Sequence, residues 1–163
     1  MVLFISPPFG NYMNLPQTTS IKGSFTLHPR TGLFSQILKT LRYDFENNCW
    51  RNKIGLRNPG IEYAISKYYI SKSENTLKNT NMKGIISIAI LNKNDIEQLN
   101  SIVPRDCNIE LNVSCPNTEK HMVNDGLKPF LNDKRDWCII KLSPTESYRN
   151  INKFYETGFR QFH

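Results

Sequence analysis

Apolar residues along this chain come in short runs broken by proline, glycine and clustered polar residues. Residues 2–6 (VLFIS) read as a short buried strand closed by Pro7 and Pro8, and residues 20–27 as a second strand ended by His28 and Pro29. Residues 85–91 (IISIAIL) are apolar on both faces, as a central parallel strand is. Residues 108–113 and 137–142 (WCIIKL) continue the series, and residues 159–162 look like a sixth strand beginning. Between the strands the period changes to that of helices. Asn58-Pro59 offers a cap and first turn for a helix with Ile61, Ala64, Ile65, Tyr68 and Tyr69 on one face. Asn94, with Glu97 three residues on, predicts the start of a helix carrying Ile96, Leu99 and Ile102. Ser143-Pro144-Thr145-Glu146 reads as a capping box with proline at the first helical position. That helix should bury Ile151, Phe154 and Tyr155 and stop at Gly158. Residues 32–54 fit two periods. Leu33, Phe34, Ile37, Leu38 and Leu41 suit a helix, whereas Leu41, Tyr43 and Phe45 suit a strand, and an irregular or hairpin excursion is the favoured reading.

Strands alternating with helices predict a parallel sheet, either open and doubly wound or closed into a barrel. Neither a GxGxxG nor a Walker loop is present, which removes the commonest reasons to choose the open sheet. The 163 residues, 39% of them hydrophobic and 21% charged, have a globular composition. The longest apolar run is too short to span a bilayer, and the N-terminus lacks the basic start and long apolar stretch of a secretory signal. A cytoplasmic location and no membrane partner are therefore expected. The net charge of +7 comes from scattered lysines, with no tight Lys/Arg cluster, so nucleic acid is not expected as a partner. Cys49, Cys107, Cys115 and Cys138 form no CxxC pair, which argues against a metal site and for free thiols.

The stretch richest in chemistry is Ile109-Glu-Leu-Asn-Val-Ser-Cys-Pro-Asn117. An apolar strand runs into a polar loop of Asn112, Ser114, Cys115 and Asn117, and strand C-terminal ends build the active sites of barrels. The two amides each donate and accept hydrogen bonds, as a planar heterocycle requires. On residue chemistry alone, an Asn/Pro turn with a buried thiol accounts for the stretch equally well.

ELNVSCPN closely resembles the motif of dihydroorotate dehydrogenases. Asn52-Lys-Ile-Gly-Leu-Arg-Asn-Pro-Gly60 is similar to that family's Asn-x-Met-Gly-Leu-x-Asn-x-Gly loop, and Gly23-Ser-Phe-Thr-Leu-His-Pro-Arg-Thr-Gly32 to its second-strand segment. Ser87-Ile-Ala89 and Lys141 follow in the family's order. The resemblance implies a TIM (β/α)8 barrel that binds FMN and oxidises dihydroorotate to orotate in pyrimidine biosynthesis. It implies Cys115 as the base that removes a ring proton, the mark of the soluble class; a thiol with an ordinary pKa of about 8.5 needs a modest downward shift for that task. It implies that Asn112 and Asn117 bind the substrate ring, joined by Asn52 and the backbone of Ile54, Gly55 and Leu56. Gly10, Gly23, Ser24, Asn112 and Lys141 are implied to face the flavin, with Lys141 at its N1/O2 edge stabilising the reduced form.

The chain departs from the family's pattern in places. Gly23 stands where the soluble class often has a lysine, and strand alternation aims Lys22 away from the site. Ile54 replaces a methionine, Ile90 stands where a glycine is preferred, and the loop of residues 117–136 is short. The sixth strand ends at His163, and the glycine-rich phosphate loops of strands seven and eight do not follow. The expectation is therefore an α/β TIM barrel truncated after about the start of strand six, one incomplete domain over residues 1–163. A missing C-terminal part or a homodimer is the expected protein partner, and without the missing strands Ile88, Ile90, Ile109 and Leu111 would lack closure. The competing reading is an inactive relic, or a protein-binding subunit of a split enzyme.

Overall fold

The computed structural model describes residues 3–69, 84–114 and 126–163. Six parallel strands form one sheet: β1 (Leu3–Ile5), β2 (Thr18–Phe25), β5 (Ile85–Ala89), β6 (Ile109–Asn112), β7 (Cys138–Lys141) and β8 (Gln161–Phe162), in that spatial order. A separate antiparallel pair, β3 (Arg42–Asp44) and β4 (Cys49–Arg51), interrupts the chain order. Sequential parallel neighbours need crossovers. The described helices are α1 (Leu33–Thr40), α2 (Ile61–Tyr68), α3 (Asn94–Ile102) and α4 (Tyr148–Thr157). The sheet curls into a half-barrel compatible with a truncated TIM barrel. The curl carries Phe4 of β1 across to Trp137 at the entrance of β7, ring centroids 5.1 Å apart.

The two faces of the sheet differ, as alternation requires. Ile86, Ile88, Ile90, Ile109, Leu111 and Ile140 pack outward with Ile61 and Ala64 of α2, Leu99 of α3, Phe154 of α4 and Phe130. Removing each of these large side chains from water stabilises the fold by about 1.5–3 kcal/mol. The expected open apolar face therefore does not exist. Ile88, Ile90, Ile109 and Leu111 are fully buried beneath the helices. The inner face carries a small apolar layer at one end, Ile21, Ile85 and Ile139 with Phe4 and Trp137, and polar side chains at the other.

Local signals were read correctly in kind and shifted in place. Asn94 is the first residue of α3 and not its cap; Lys93 holds the cap position with no side-chain cap bond, and Asn92, one residue earlier, accepts the Asp95 N–H on Oδ1 at 3.1 Å. The Ser143–Glu146 stretch closes a turn, with Glu146 N–H donating to the Ser143 carbonyl at 2.9 Å. Ser147 caps α4 instead, accepting from Asn150 N–H at 3.3 Å. α4 ends at Gly158 and buries Phe154, but Tyr155 is exposed and lies beneath the Arg160 guanidinium. The ambiguous excursion contains both a helix and a hairpin. α1 buries no residue, and the β3–β4 turn is held by Asp44, which accepts from the Glu46 and Asn47 N–H groups and pairs with Arg51 at 2.6 Å.

Candidate functional site at the strand ends

Polar side chains converge on the inner face toward the C-terminal ends of the strands. Their positions follow from register. Gly23 pairs with Ser87, Ser87 with Glu110, and Glu110 with Ile139; one step further, Ala89 pairs with Asn112 and Asn112 with Lys141. Residues two apart on a strand share a face, so Glu110 and Asn112 both point inward. Ser24 joins them because the register shifts between Gly23 and Phe25. Its Oγ lies 2.9 Å from Ser87 Oγ and accepts from Asn112 Nδ2 at 3.0 Å. Asn112 Oδ1 accepts in turn from the Ser114 hydroxyl at 2.7 Å and the Ser114 N–H at 3.2 Å.

The centre of this cluster is Glu110, whose side chain is wholly buried. One carboxylate oxygen accepts from Ser87 Oγ at 2.6 Å and lies 4.0 Å from Lys141 Nζ; the other lies 2.7 Å from His163 Nδ1. A carboxylate only accepts, so the proton of that last bond sits on the imidazole. Burying a carboxylate without such partners is costly, and Ser87, Lys141 and His163 are what hold it here.

Ser24, Asn112 and Lys141 are thus brought together through Ser87 and Glu110. Gly23 lies beside them with a φ of +110°, and a Cβ there would stand 2.7 Å from the Ser87 carbonyl oxygen and 2.6 Å from the Phe25 ring. Gly10 packs where a Cβ would collide with the carbonyls of Ile5 and Ile21, so interstrand packing already requires its glycine. The loop of residues 52–56 is organised separately. Asn52 Oδ1 accepts from Ile54 N–H at 3.3 Å, Gly55 is exposed at a φ of +70°, and the Leu56 carbonyl accepts from Asn58 Nδ2 at 3.0 Å. Asn58 ties that loop to the end of β2 by accepting the Thr26 N–H at 3.1 Å. Cys115 and Asn117 lie outside the described residues.

Lys22 turns away from this cluster, donating to the Gly10 carbonyl at 2.5 Å and to Asn14 Oδ1 at 3.3 Å, and its partial burial lowers its pKa. Ile90 faces the helices, so it does not occupy the inner face. Burial pushes the Cys107 thiol up to about 12 and the Cys138 thiol up to about 11, which makes both poor nucleophiles at neutral pH. Among the described residues, no group of three or more His, Cys, Asp and Glu side chains could hold a metal ion, and no helix is long and apolar enough to cross a membrane.

Sequence reasoning passed over Glu110, Ser87 and His163 as site residues. The signal for Glu110 was available. An acidic residue inside an otherwise apolar strand, two positions before Asn112, shares the inner face with it.

The residues fit the groups that the sequence motifs imply. Ser24 and Asn112 offer a hydroxyl and an amide, and Lys141 an ammonium, on one concave face. No protein-family model matches the chain. Over 122 residues it is 33% identical to the dihydroorotate dehydrogenase B (NAD(+)) catalytic subunit of Petrotoga mobilis. That similarity takes in 65% of this chain and 37% of the relative, so the chain spans little more than a third of the relative's length. This similarity supports a distant relationship to a dihydroorotate dehydrogenase subunit.

Proposed function

We propose that this chain forms the substrate- and flavin-facing part of an FMN-dependent oxidoreductase that converts dihydroorotate to orotate in pyrimidine biosynthesis. The observation that carries the reading is the convergence of Ser24, Asn112 and Lys141 at one end of a curled parallel sheet, on strands whose motifs match those of dihydroorotate dehydrogenases. FMN, when bound, supplies the hydride acceptor. Ser24 and Asn112 present a hydroxyl and an amide to its ring, and Gly23 leaves room for close approach. Lys141 places a positive charge on the same face, which favours an electron-rich flavin. Glu110 anchors that charge. In this reading Cys115 takes the ring proton from dihydroorotate, while Asn112, Asn117, Asn52 and the backbone of Ile54, Gly55 and Leu56 hold the substrate. Gly10 acts at one remove, setting the spacing of β1 and β2.

The test mixes the chain with FMN and dihydroorotate without oxygen, alone and together with the C-terminal remainder of the Petrotoga subunit. Loss of flavin absorbance at 450 nm (about that wavelength for oxidised flavins) is the expected result in at least the completed mixture. Cys115→Ala should slow that step roughly 10²–10⁴-fold while flavin binding persists. Flavin that stays oxidised in both mixtures, or is reduced as fast by Cys115→Ala, overturns the reading.

A further inference from the structure

The curl of the sheet does more than close the apolar layer. It brings the residue after β1 to the residue after β8. Ser6 Oγ lies 3.2 Å from His163 Nε2, while His163 Nδ1 lies 2.7 Å from Glu110 Oε2. The buried Glu110 is held from its other side by Ser87. We propose that Ser6, His163 and Glu110 form a second catalytic site, an acyl-transfer triad that hydrolyses small carboxylic esters.

The assignment of roles follows from the bonds. The Glu110 carboxylate can only accept, so it fixes the imidazole proton on Nδ1. Nε2 is then left as an acceptor facing the Ser6 hydroxyl. Nucleophile to base and base to buried acid are the two contacts that define such a triad, whatever the fold or the order along the chain. The environments also suit the roles. Glu110 is fully buried, the His163 side chain is 40% exposed, and Ser6 is half-buried, so the orienting acid is dry and the reacting pair is reachable.

In the first half-reaction Ser6 Oγ bonds to the ester carbonyl carbon and passes its proton to His163 Nε2. The carbon–alkoxy bond breaks, and the leaving alcohol takes that proton. Water then gives a proton to Nε2 and its oxygen bonds to the acyl carbon. The Ser6 ester bond breaks, Ser6 regains the proton, and the carboxylic acid departs. No oxidant, flavin or metal enters the balance, so failure of this proposal and failure of the dehydrogenase reading are separate results.

The experiment treats the purified chain with a fluorophosphonate probe and with p-nitrophenyl acetate. The expected result is one phosphonyl adduct, on Ser6 by peptide mass spectrometry, and release of more than one equivalent of p-nitrophenol. Ser6→Ala should abolish both. His163→Asn keeps a donor toward Glu110 but removes the base, and it should slow labelling roughly 10²-fold or more. Far-UV circular dichroism matching the wild type confirms that each variant is folded, and Ser6→Ala and His163→Asn change the two more accessible members. An unlabelled Ser6 in folded wild-type protein overturns the proposal. So does p-nitrophenol release that survives Ser6→Ala, or labelling of His163→Asn at the wild-type rate.

Discussion

Glu110→Ala should be among the most damaging single substitutions on the inner face. The carboxylate is wholly buried and accepts from Ser87 at 2.6 Å and from the His163 imidazole at 2.7 Å. A hydrogen bond to a charged group contributes about 1.5–3 kcal/mol. The Ser87 bond is dry and merits about 2 kcal/mol on that scale. The His163 side chain is 40% exposed, and solvent screening reduces its share to about 1 kcal/mol or less. Lys141 at 4.0 Å, also partly exposed, adds little to the sum. The expected loss is therefore about 3 kcal/mol, before any contribution from the cavity left behind. With a urea slope of about 2 kcal/mol per molar, the midpoint should fall by roughly 1.5 M. The assay is urea unfolding followed by far-UV circular dichroism and by the fluorescence of Trp137, which packs on the same inner face. Glu110→Gln keeps an acceptor for Ser87 and should lose roughly half as much. The double variant with Ser87→Ala should lose less than the sum of the two single changes, because both remove the same bond. A Glu110→Ala midpoint within about 0.3 M of the wild type would refute the reasoning.

Three further outcomes are expected. The Cys107 and Cys138 thiols have pKa values raised by burial from 9.0 to about 12 and about 11. Their contribution is therefore fully present below pH 9 and is lost as the pH climbs toward 11–12, by roughly 2 kcal/mol each at about pH 10.5. Melting curves should show a smaller alkaline loss for the Cys107→Ala/Cys138→Ala protein than for the wild type, and equal losses would contradict the burial argument. Gly23→Ala adds a left-handed backbone penalty of about 1 kcal/mol to an overpacking cost of about 1–3 kcal/mol against Ser87 and Phe25, and a urea midpoint unchanged from the wild type would show that the neighbours yield freely. Asn58→Ala strips partners from the Thr26 and Gly60 N–H groups and from the Leu56 carbonyl. It should cost about 2–3 kcal/mol and raise hydrogen exchange in residues 52–60, which deuterium-exchange mass spectrometry would detect.

The central strands β5, β6 and β7 were legible because each is short, mostly apolar and bounded by a breaker, whereas β2, with only Ile21 and Phe25 apolar, lies at Thr18–Phe25, two residues before the span its breakers suggest. Residues 85–91 could be read as a central strand since helices cover one face and the concave side of the half-barrel lies on the other. The helix starts were less legible. Asn94 and Ser143 have the right chemistry, but Asn94 already lies inside its helix behind an uncapped Lys93, and Ser147, one turn after Ser143, has the geometry to accept the Asn150 N–H. The excursion of α1, β3 and β4 supports two periods in the sequence because it contains two kinds of element in succession. The inner polar cluster was visible only in part. Asn112 and Lys141 carried motif resemblance, whereas Ser6 and His163 are 157 residues apart and meet only because the sheet curls. No local pattern encodes that meeting.

The register shift in β2 works as a phase change in the chain. Up to Gly23, inward and outward positions alternate in step with Ser87; from Phe25 onward they alternate in step with Ile88. One additional residue lets two neighbours, Gly23 and Ser24, lie toward the same interior, and it delivers Phe25 to the helix side. Chain length at this point is thus itself information. Deleting Ser24 would not simply remove a hydroxyl. It would leave Phe25 directly after Gly23 and still opposite Ile88 on the helix side, so the loss is the bulge itself, which alone sets two consecutive residues toward the interior; a residue inserted with no bulge to absorb it would instead turn every later side chain of the strand to the other face.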